Sequence, residues 1–532
     1  MGLMLTLRSN CSFKKKNKMK FKSLLIIASA AFIATGCKKD FLDINKDPNN
    51  LSGTISPSLV FTSALSQTVN NMVAQNEQGS YFAGQWTQSS SYIYQQNRFA
   101  YKFTNSDFNF YDPIYDNLQD YEYVINNGDG QDQPFFKGPA RVMKAMLFQQ
   151  LVDLYGNVPY SDALKGLASL APKFDDQKAV YESLILLLDS AIIDLKANPF
   201  TGSFGSADIS RAGSLGGGSI TKWLKFANSL KMRILMRQSR ISGRSAYITP
   251  QIQKILTEGS GFLDAGQDFT INPGYIASDG KQNPLYDRFG YAASGAVRAL
   301  ARFPRPTQFL FDVLIATNDT FRLKRLAYAI GGENTSSPGK SKLTEVISNY
   351  KGVPFGASSS FTAPSTSYIG PSVFVKGEFN RPLYLMLAAE SQLLLAEAAQ
   401  LYPAITFAKT PQQYYEQGVR EAFRLDGATD AQATILLTSG LAEADWTASP
   451  DKLKAIWKQK WLAFTNFLGQ EAWSEVRRTN HPPIPLSLGA PIGSKPAIRL
   501  FYPNTELGSN GANVLAQGNI DIFTSRIFWD VD

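Results

Sequence analysis

The sequence predicts an all-α protein in which paired helices form a scaffold and long irregular loops form the working surface. Two patterns carry that expectation: apolar residues recur at helical spacing in several separate stretches, and long segments rich in Ser, Asn, Gly and aromatics lie between them. Between Gly138 and Tyr155, Met143, Leu147, Leu151 and Leu154 recur at spacings of 4, 4 and 3 residues, which makes one apolar face. The next helix is expected from about Gln177 to Ala197, and "TKWLKFANSLKMRILMRQSR" from Thr221 gives another. Later come Pro382 to Tyr402, Pro411 to Leu425, and one long stretch from Asp451 to about Arg478. Pro382 and Pro411 are read as first-turn prolines, where the missing N–H costs a helix nothing. Helix pairs of this size, stacked side by side, point to a tetratricopeptide-like superhelix. The tetratricopeptide consensus itself is not legible at a fixed period.

The intervening loops are expected at residues 79–106, 200–218, 258–304, 335–381 and 480–520. Structureless segments of this length are either functional or disordered, and their aromatic content argues against disorder. The stretch "GSLGGGS", residues 213 to 219, has the composition of a flexible connector.

The N-terminus reads as a leader. Lys20 and Lys22 precede the apolar run Leu24 to Ala34, which is followed by the small pair Thr35 and Gly36 and then Cys37. This is a secretory signal, too short to cross a bilayer as a helix. "ATGC" resembles a bacterial lipobox with cleavage before Cys37, although Ala34 stands where Leu is commoner. Met19 is the better start, because "MKFKSLL" is a compact basic n-region. The expected organisation is a leader over residues 1–36, a lipidated tether over 37–50, and a single domain over 51–532.

Charge and scarce residues exclude whole classes of chemistry. The chain has 53 Lys+Arg against 44 Asp+Glu, but seven of the basic residues and none of the acidic ones precede Cys37, so the formal charge falls from +9 to +2 without the leader. A basic nucleic-acid footprint is therefore not expected. The only cysteines are Cys11 and Cys37, and the only histidine is His481, so His/Cys zinc sites and Ser-His-Asp or Cys-His arrangements have almost nothing to draw on. No cofactor is indicated, although a structural calcium is left open. Carboxylate chemistry of the glycosidase kind remains available. Its candidates are Glu390 with Glu397, and Glu471 with Glu475, each pair on one helical face. Both pairs read more simply as structural: the first as a satisfied polar stripe, the second as partners of Arg477 and Arg478 nearby in the chain.

Several stretches together resemble one family. "CKKDFLDINKDPNN" from Cys37, "LVDLYGNVPYSDAL" (151–164), "PKFDDQKAVYESLILLLD" (172–189), "WLKFANSLKMRILMR" (223–237), "YKGVPFG" (350–356), "LAAESQLLLAEAA" (387–399), "EAWSEVRRTNHPPIP" (471–485) and "RLFYPNTELGSNGANV" (499–514) look like the SusD/RagB nutrient-binding outer-membrane lipoproteins of Bacteroidetes. The match spans nearly the whole mature chain. It is looser at "NDTFRLKRLA" (318–327), where members often show an Asp-Pro-Arg turn and this chain has Asp319, Thr320, Phe321 and Arg322. The resemblance implies a SusD-like fold of tetratricopeptide-like pairs, a lipid anchor at Cys37 in the outer membrane, and a cell-surface position. It also implies a SusC-like TonB-dependent transporter as partner and capture of oligosaccharide, without catalysis. The alternatives are the same lid role for peptides or another nutrient and, more distantly, a surface glycoside hydrolase.

A sugar site combines aromatic platforms with amides and charged donors. Residues 81–103 carry that mix, with Trp86, Tyr92, Tyr94 and Tyr101 among Gln88, Gln95, Gln96, Asn97 and Arg98; residues 272–303 add Tyr275, Tyr286, Tyr291, Asp279 and Arg302. The ligand-binding candidates are Trp86, Tyr92, Tyr94, Tyr275, Tyr291 and Arg302. The same aromatics also serve to pack loops onto helices, and that alternative stays open for each.

Overall fold

The computed structural model describes residues 55–199, 207–210, 219–330 and 344–531. The leader, Cys37, the tether and most of the "GSLGGGS" connector lie outside the described residues.

Among the described residues eleven helices of nine or more residues build the scaffold: α1 Pro57–Phe82, α2 Tyr111–Asn127, α3 Lys137–Tyr155, α4 Gln177–Ala197, α5 Ile220–Arg237, α6 Ser245–Glu258, α7 Gln308–Ala316, α8 Ala388–Leu401, α9 Pro411–Asp426, α10 Lys452–Phe464 and α11 Gly469–Thr479. Consecutive helices pack on one another: α3 on α4, and α8 on α9, while α1 lies against both α2 and α11. The expected face of α3 is the observed one, since Met143, Leu147, Leu151 and Leu154 are all buried.

Local chemistry fixes the ends. Asp176 caps α4 by accepting from Lys178 N and Ala179 N. Thr410 and Gln413 form a capping box around Pro411 at the start of α9, so the first-turn reading holds there. The crossing of α1 and α11 requires glycine on both sides: a Cβ on Gly79 would stand 2.3 Å from Gln470 N, and one on Gly469 would stand 2.2 Å from the Asn76 carbonyl. Only two residues without side chains let these backbones touch.

Among the described residues six short strands fasten the loops. They are β1 Trp86–Gln88, β2 Phe269–Ile271, β3 Pro304–Pro306, β4 Ala327–Tyr328, β5 Tyr368–Ile369 and β6 Leu383–Met386, paired as three two-stranded antiparallel sheets, β1 with β3, β2 with β6, and β4 with β5.

Two sequence expectations are corrected. Pro382 does not open a helix, because the residues after it form β6, and the helix begins only at Ala388, whose N–H donates to Asp268 at 2.8 Å. The stretch from Asp451 to Arg478 is two helices, not one. They are separated at Thr465–Leu468, where Asn466 has the left-handed φ of 70°, a conformation that asparagine tolerates better than most residues. From Ser56 onward the chain is one compact unit. Among the described residues no helix is long and apolar enough to cross a membrane.

Candidate functional site

The glutamates that a hydrolase would need are committed elsewhere. Glu390 and Glu397 on α8 and Glu471 and Glu475 on α11 meet Arg233 and Arg237 from α5, Lys460 from α10 and Arg478 from α11. Arg233 Nε lies 2.6 Å from Glu390, Lys460 Nζ lies 2.8 Å from Glu397 and 2.9 Å from Glu475, and Arg478 Nη1 lies 2.8 Å from Glu397. Arg237 binds Glu471 directly, and every one of these side chains is at most 5 % exposed. Burial opposes ionisation of Glu397, Glu471 and Glu475, but the arginines and Lys460 outweigh it and hold all three below the usual carboxylate range. Buried carboxylates paired in this way bind helices together rather than face a substrate. Arg477, expected to join them, instead donates to the carbonyls of Asp153 and Ile498 at 2.8 and 2.7 Å. His481 also has a structural partner, with Nε2 3.3 Å from Glu443. Among the described residues no three His, Cys, Asp or Glu side chains gather as a metal site.

The aromatic loops do converge, and β1 with β3 is the reason. The register pairs Trp86 with Pro306, Thr87 with Arg305 and Gln88 with Pro304. Tyr92 and Tyr94 follow β1 closely and Arg302 and Phe303 precede β3, so the pairing brings them to one place. Gln88 then folds the turn, its Oε1 accepting from Tyr94 N at 2.6 Å. The Phe303 ring centroid lies 6.1 Å from that of Tyr92 and 5.4 Å from that of Tyr94, and the Arg302 guanidinium lies 5.7 Å from the Tyr92 ring. Tyr92, Tyr94 and Phe303 are half-buried and Arg302 is exposed, with Gln95, Gln96 and Asn97 exposed beside them. This is a platform of rings with a cation and amides on its rim.

Other candidates lie elsewhere. Trp86 is 1 % exposed, and its Nε1 donates to Asn466 at 2.8 Å. Its ring packs edge-on against Tyr81 and Phe289. A face that is already covered has nothing to offer a sugar. Tyr291 is 2 % exposed and packs beside Tyr286. Tyr275 is half-buried in the loop after β2, where Asn272 accepts from its N–H, and so belongs to the β2–β6 sheet rather than to the platform. Arg98 is buried with its guanidinium 3.9 Å from the Tyr81 ring, and burial lowers its pKa.

Three residues that sequence reasoning did not single out build or position the site. Phe303 bridges Tyr92 and Tyr94. Glu77 on α1, 4 % exposed, accepts from Arg288 at 2.7 Å and lies 3.7 Å from Arg98. It thereby ties the 81–103 loop and the 258–304 loop to one helix. Arg288 in turn stands beside the Tyr94 hydroxyl. It also walls an open trough of about 610 Å³ between α1 and the 280–300 loop, together with Asn70, Ala74, Gln282, Asp287 and Arg298.

Comparison with known families decides the assignment. Residues 48–503 match the SusD-like_2 family, described as "Starch-binding associating with outer membrane". The chain belongs to the SusD-like family. The fold is that of solved SusD homologues. One from Bacteroides uniformis is 23% identical, with 89% of this chain and 99% of that chain covered and a TM-score of 0.69. A chitin-binding SusD homologue from Flavobacterium johnsoniae is 22% identical, with 89% and 99% covered and a TM-score of 0.71. A SusD/RagB family protein from Bacteroides thetaiotaomicron is 20% identical, with 90% and 99% covered and a TM-score of 0.69. No curated protein matches the chain.

The SusD-like chain has an ion pair where its sequence departs from the Asp-Pro-Arg turn. Asp319 accepts from Arg322 N at 3.2 Å and from Arg322 Nε at 2.6 Å, and Arg322 reaches Gln459 on α10 at 2.7 Å. Thr320 and Phe321 lie between the two paired residues.

Proposed function

We propose that this SusD-like protein is a cell-surface lipoprotein, anchored through Cys37, that captures oligosaccharides and passes them to a SusC-like TonB-dependent transporter. The observation that carries the reading is the meeting of Tyr92, Tyr94, Phe303 and Arg302 on one rim. Half-buried rings fixed at their backs leave a face for the C–H side of a pyranose, and the neighbouring amides and guanidinium supply donors and acceptors for its hydroxyls. The adjoining trough gives room for further sugar units along the chain. A glycan ligand is also in keeping with the family's description as starch-binding and with the chitin-binding relative from Flavobacterium johnsoniae. Capture rather than cleavage is supported by the glutamates, which are neutralised in pairs inside the scaffold. Titration of residues 38–532 with defined oligosaccharides, with the products examined for new reducing ends, tests both halves of the proposal.

A further inference from the structure

We infer that the platform is built for an anionic oligosaccharide, one carrying carboxylate or sulfate groups. The inference rests on the glycan-capture reading and narrows its ligand class.

Its basis is the distribution of charge. The segments 78–106, 288–311, 346–377 and 476–505 contain no Asp or Glu at all, although the whole chain has 44 in 532 residues, or about one in twelve. Each of these segments is at least 24 residues long. They are remote in the chain but meet in the fold. The first and second are joined by β1 and β3. The third reaches the first through Gly356 N to Thr87 Oγ1 at 3.1 Å, Ser90 N to the Phe361 carbonyl at 2.8 Å, and Ala363 N to Ser91 Oγ at 3.0 Å. The fourth joins through Leu488 N to the Phe355 carbonyl at 2.9 Å and Ser487 N to the Tyr101 hydroxyl at 3.3 Å. The deficit of acid is therefore shared by segments that build one neighbourhood.

Five exposed cations on these segments are left without counter-charges, although Arg98, Arg288, Arg298 and Arg478 on the same segments are paired. Lys102, Arg302, Lys351, Lys376 and Lys495 are exposed, and among the described residues none forms an ion pair. Elsewhere several long cationic side chains do pair with carboxylates, as Lys137 does with Asp129, Lys196 with Glu258 and Lys254 with Asp189. Surfaces ordinarily intersperse the two signs, and a single-sign field draws ligands of the other sign. Three acids of the neighbouring elements are engaged: Asp279 and Asp287 by Arg298, and the buried Glu77 by Arg288 and Arg98. Arg302 is the cation in contact with the platform. With its guanidinium beside the Tyr92 ring, a pyranose stacked on the aromatics brings a ring carboxylate or sulfate within reach of the planar fork, which matches either group with two parallel hydrogen bonds. A site for neutral sugars has no use for such a field.

Calorimetric titration of residues 38–532 with hexasaccharides of galacturonate, hyaluronan and chondroitin sulfate, each beside its carboxyl-reduced or desulfated form, is the test. At least one acidic hexasaccharide is expected to bind tenfold or more tightly than its neutral form, with the advantage shrinking as salt is raised. The carboxylate and sulfate pairs distinguish the two sources of charge. Arg302→Gln should remove most of the advantage while leaving the melting temperature unchanged. Equal binding of acidic and neutral forms would overturn the anionic inference and leave glycan capture standing. Silence across all the pairs would overturn the anionic inference, and silence from neutral oligosaccharides as well would sink the capture reading with it. Retention on vesicles of anionic lipid without binding of any hexasaccharide would assign the basic surface to the membrane and overturn the inference too.

Discussion

The guanidinium of Arg288 lies 2.7 Å from the carboxylate of Glu77, joining a loop that carries half of the aromatic platform to the first long helix of the scaffold. Arg98, from the loop that carries the other half, lies 3.7 Å from the same carboxylate. Glu77 thus positions both sides of the site without being part of it. Glu77→Gln is expected to leave two cations without their shared anion and to destabilise the fold by about 3 kcal/mol, as the loss of one partner in a buried ion pair does. Denaturant unfolding measures that loss. In the variant that remains folded, oligosaccharide affinity should fall although no ligand contact has been removed.

Trp86 and Tyr94 separate packing from binding. Trp86→Ala opens a cavity in a fully covered site and strips Asn466 of its donor, so a loss of about 3 to 5 kcal/mol in stability is expected. Tyr94→Ala removes a half-buried ring at the surface. It should lower affinity by roughly tenfold, about 1 to 2 kcal/mol of aromatic contact, with little change in melting temperature. Paired melting and titration curves for the two variants check the distinction.

Acid should loosen the scaffold. Glu397, Glu471 and Glu475 have folded pKa values below their unfolded ones because Arg478, Lys460, Arg233 and Arg237 outweigh the cost of burial. Glu443 is pulled down to about 2 by the hydrogen bond from His481, against partial burial and with help from Lys458. Depressed carboxylates contribute stability that is fully present above the unfolded value of roughly 4.3 and is lost as pH falls through the folded value. Urea unfolding should therefore show a plateau on the neutral side and a decline below about pH 4. Glu475→Gln should be less stable than the parent at pH 7, by about 3 kcal/mol, and should lose less on acidification.

Cys37 carries the proposed membrane anchor. Cys37→Ala should move the protein out of the outer-membrane fraction on cell fractionation, because the folded part has no other means of attachment proposed for it. Persistence in that fraction would remove lipidation from the account.

The helices were legible because their signals are local. The apolar spacing of α3, the Asp176 cap of α4 and the Thr410–Gln413 capping box of α9 all lie within a few residues of what they determine. What depended on distant partners was not legible. Leu383–Met386 is a strand only because Phe269–Ile271 lies beside it, and Thr465–Leu468 interrupts a helical stretch where Asn466 is needed by Trp86 and by the Leu326 carbonyl. Composition found the two aromatic loops. It did not show which rings face outward: Trp86 lies in β1 against the core, while Tyr92 and Tyr94 lie beyond the strand on the surface. The buried ion network was misread in part for the same reason, since Arg233, Arg237 and Lys460 reach the glutamates from other helices.

The most direct measurement is calorimetric titration of residues 38–532 with neutral and acidic oligosaccharides of defined length, in parallel with Tyr92→Ala and Tyr94→Ala and with assay of reducing ends. Saturable binding without cleavage, weakened about tenfold in either folded variant, is the expected result. Undiminished affinity in both variants, or release of new reducing ends, would contradict capture on this platform.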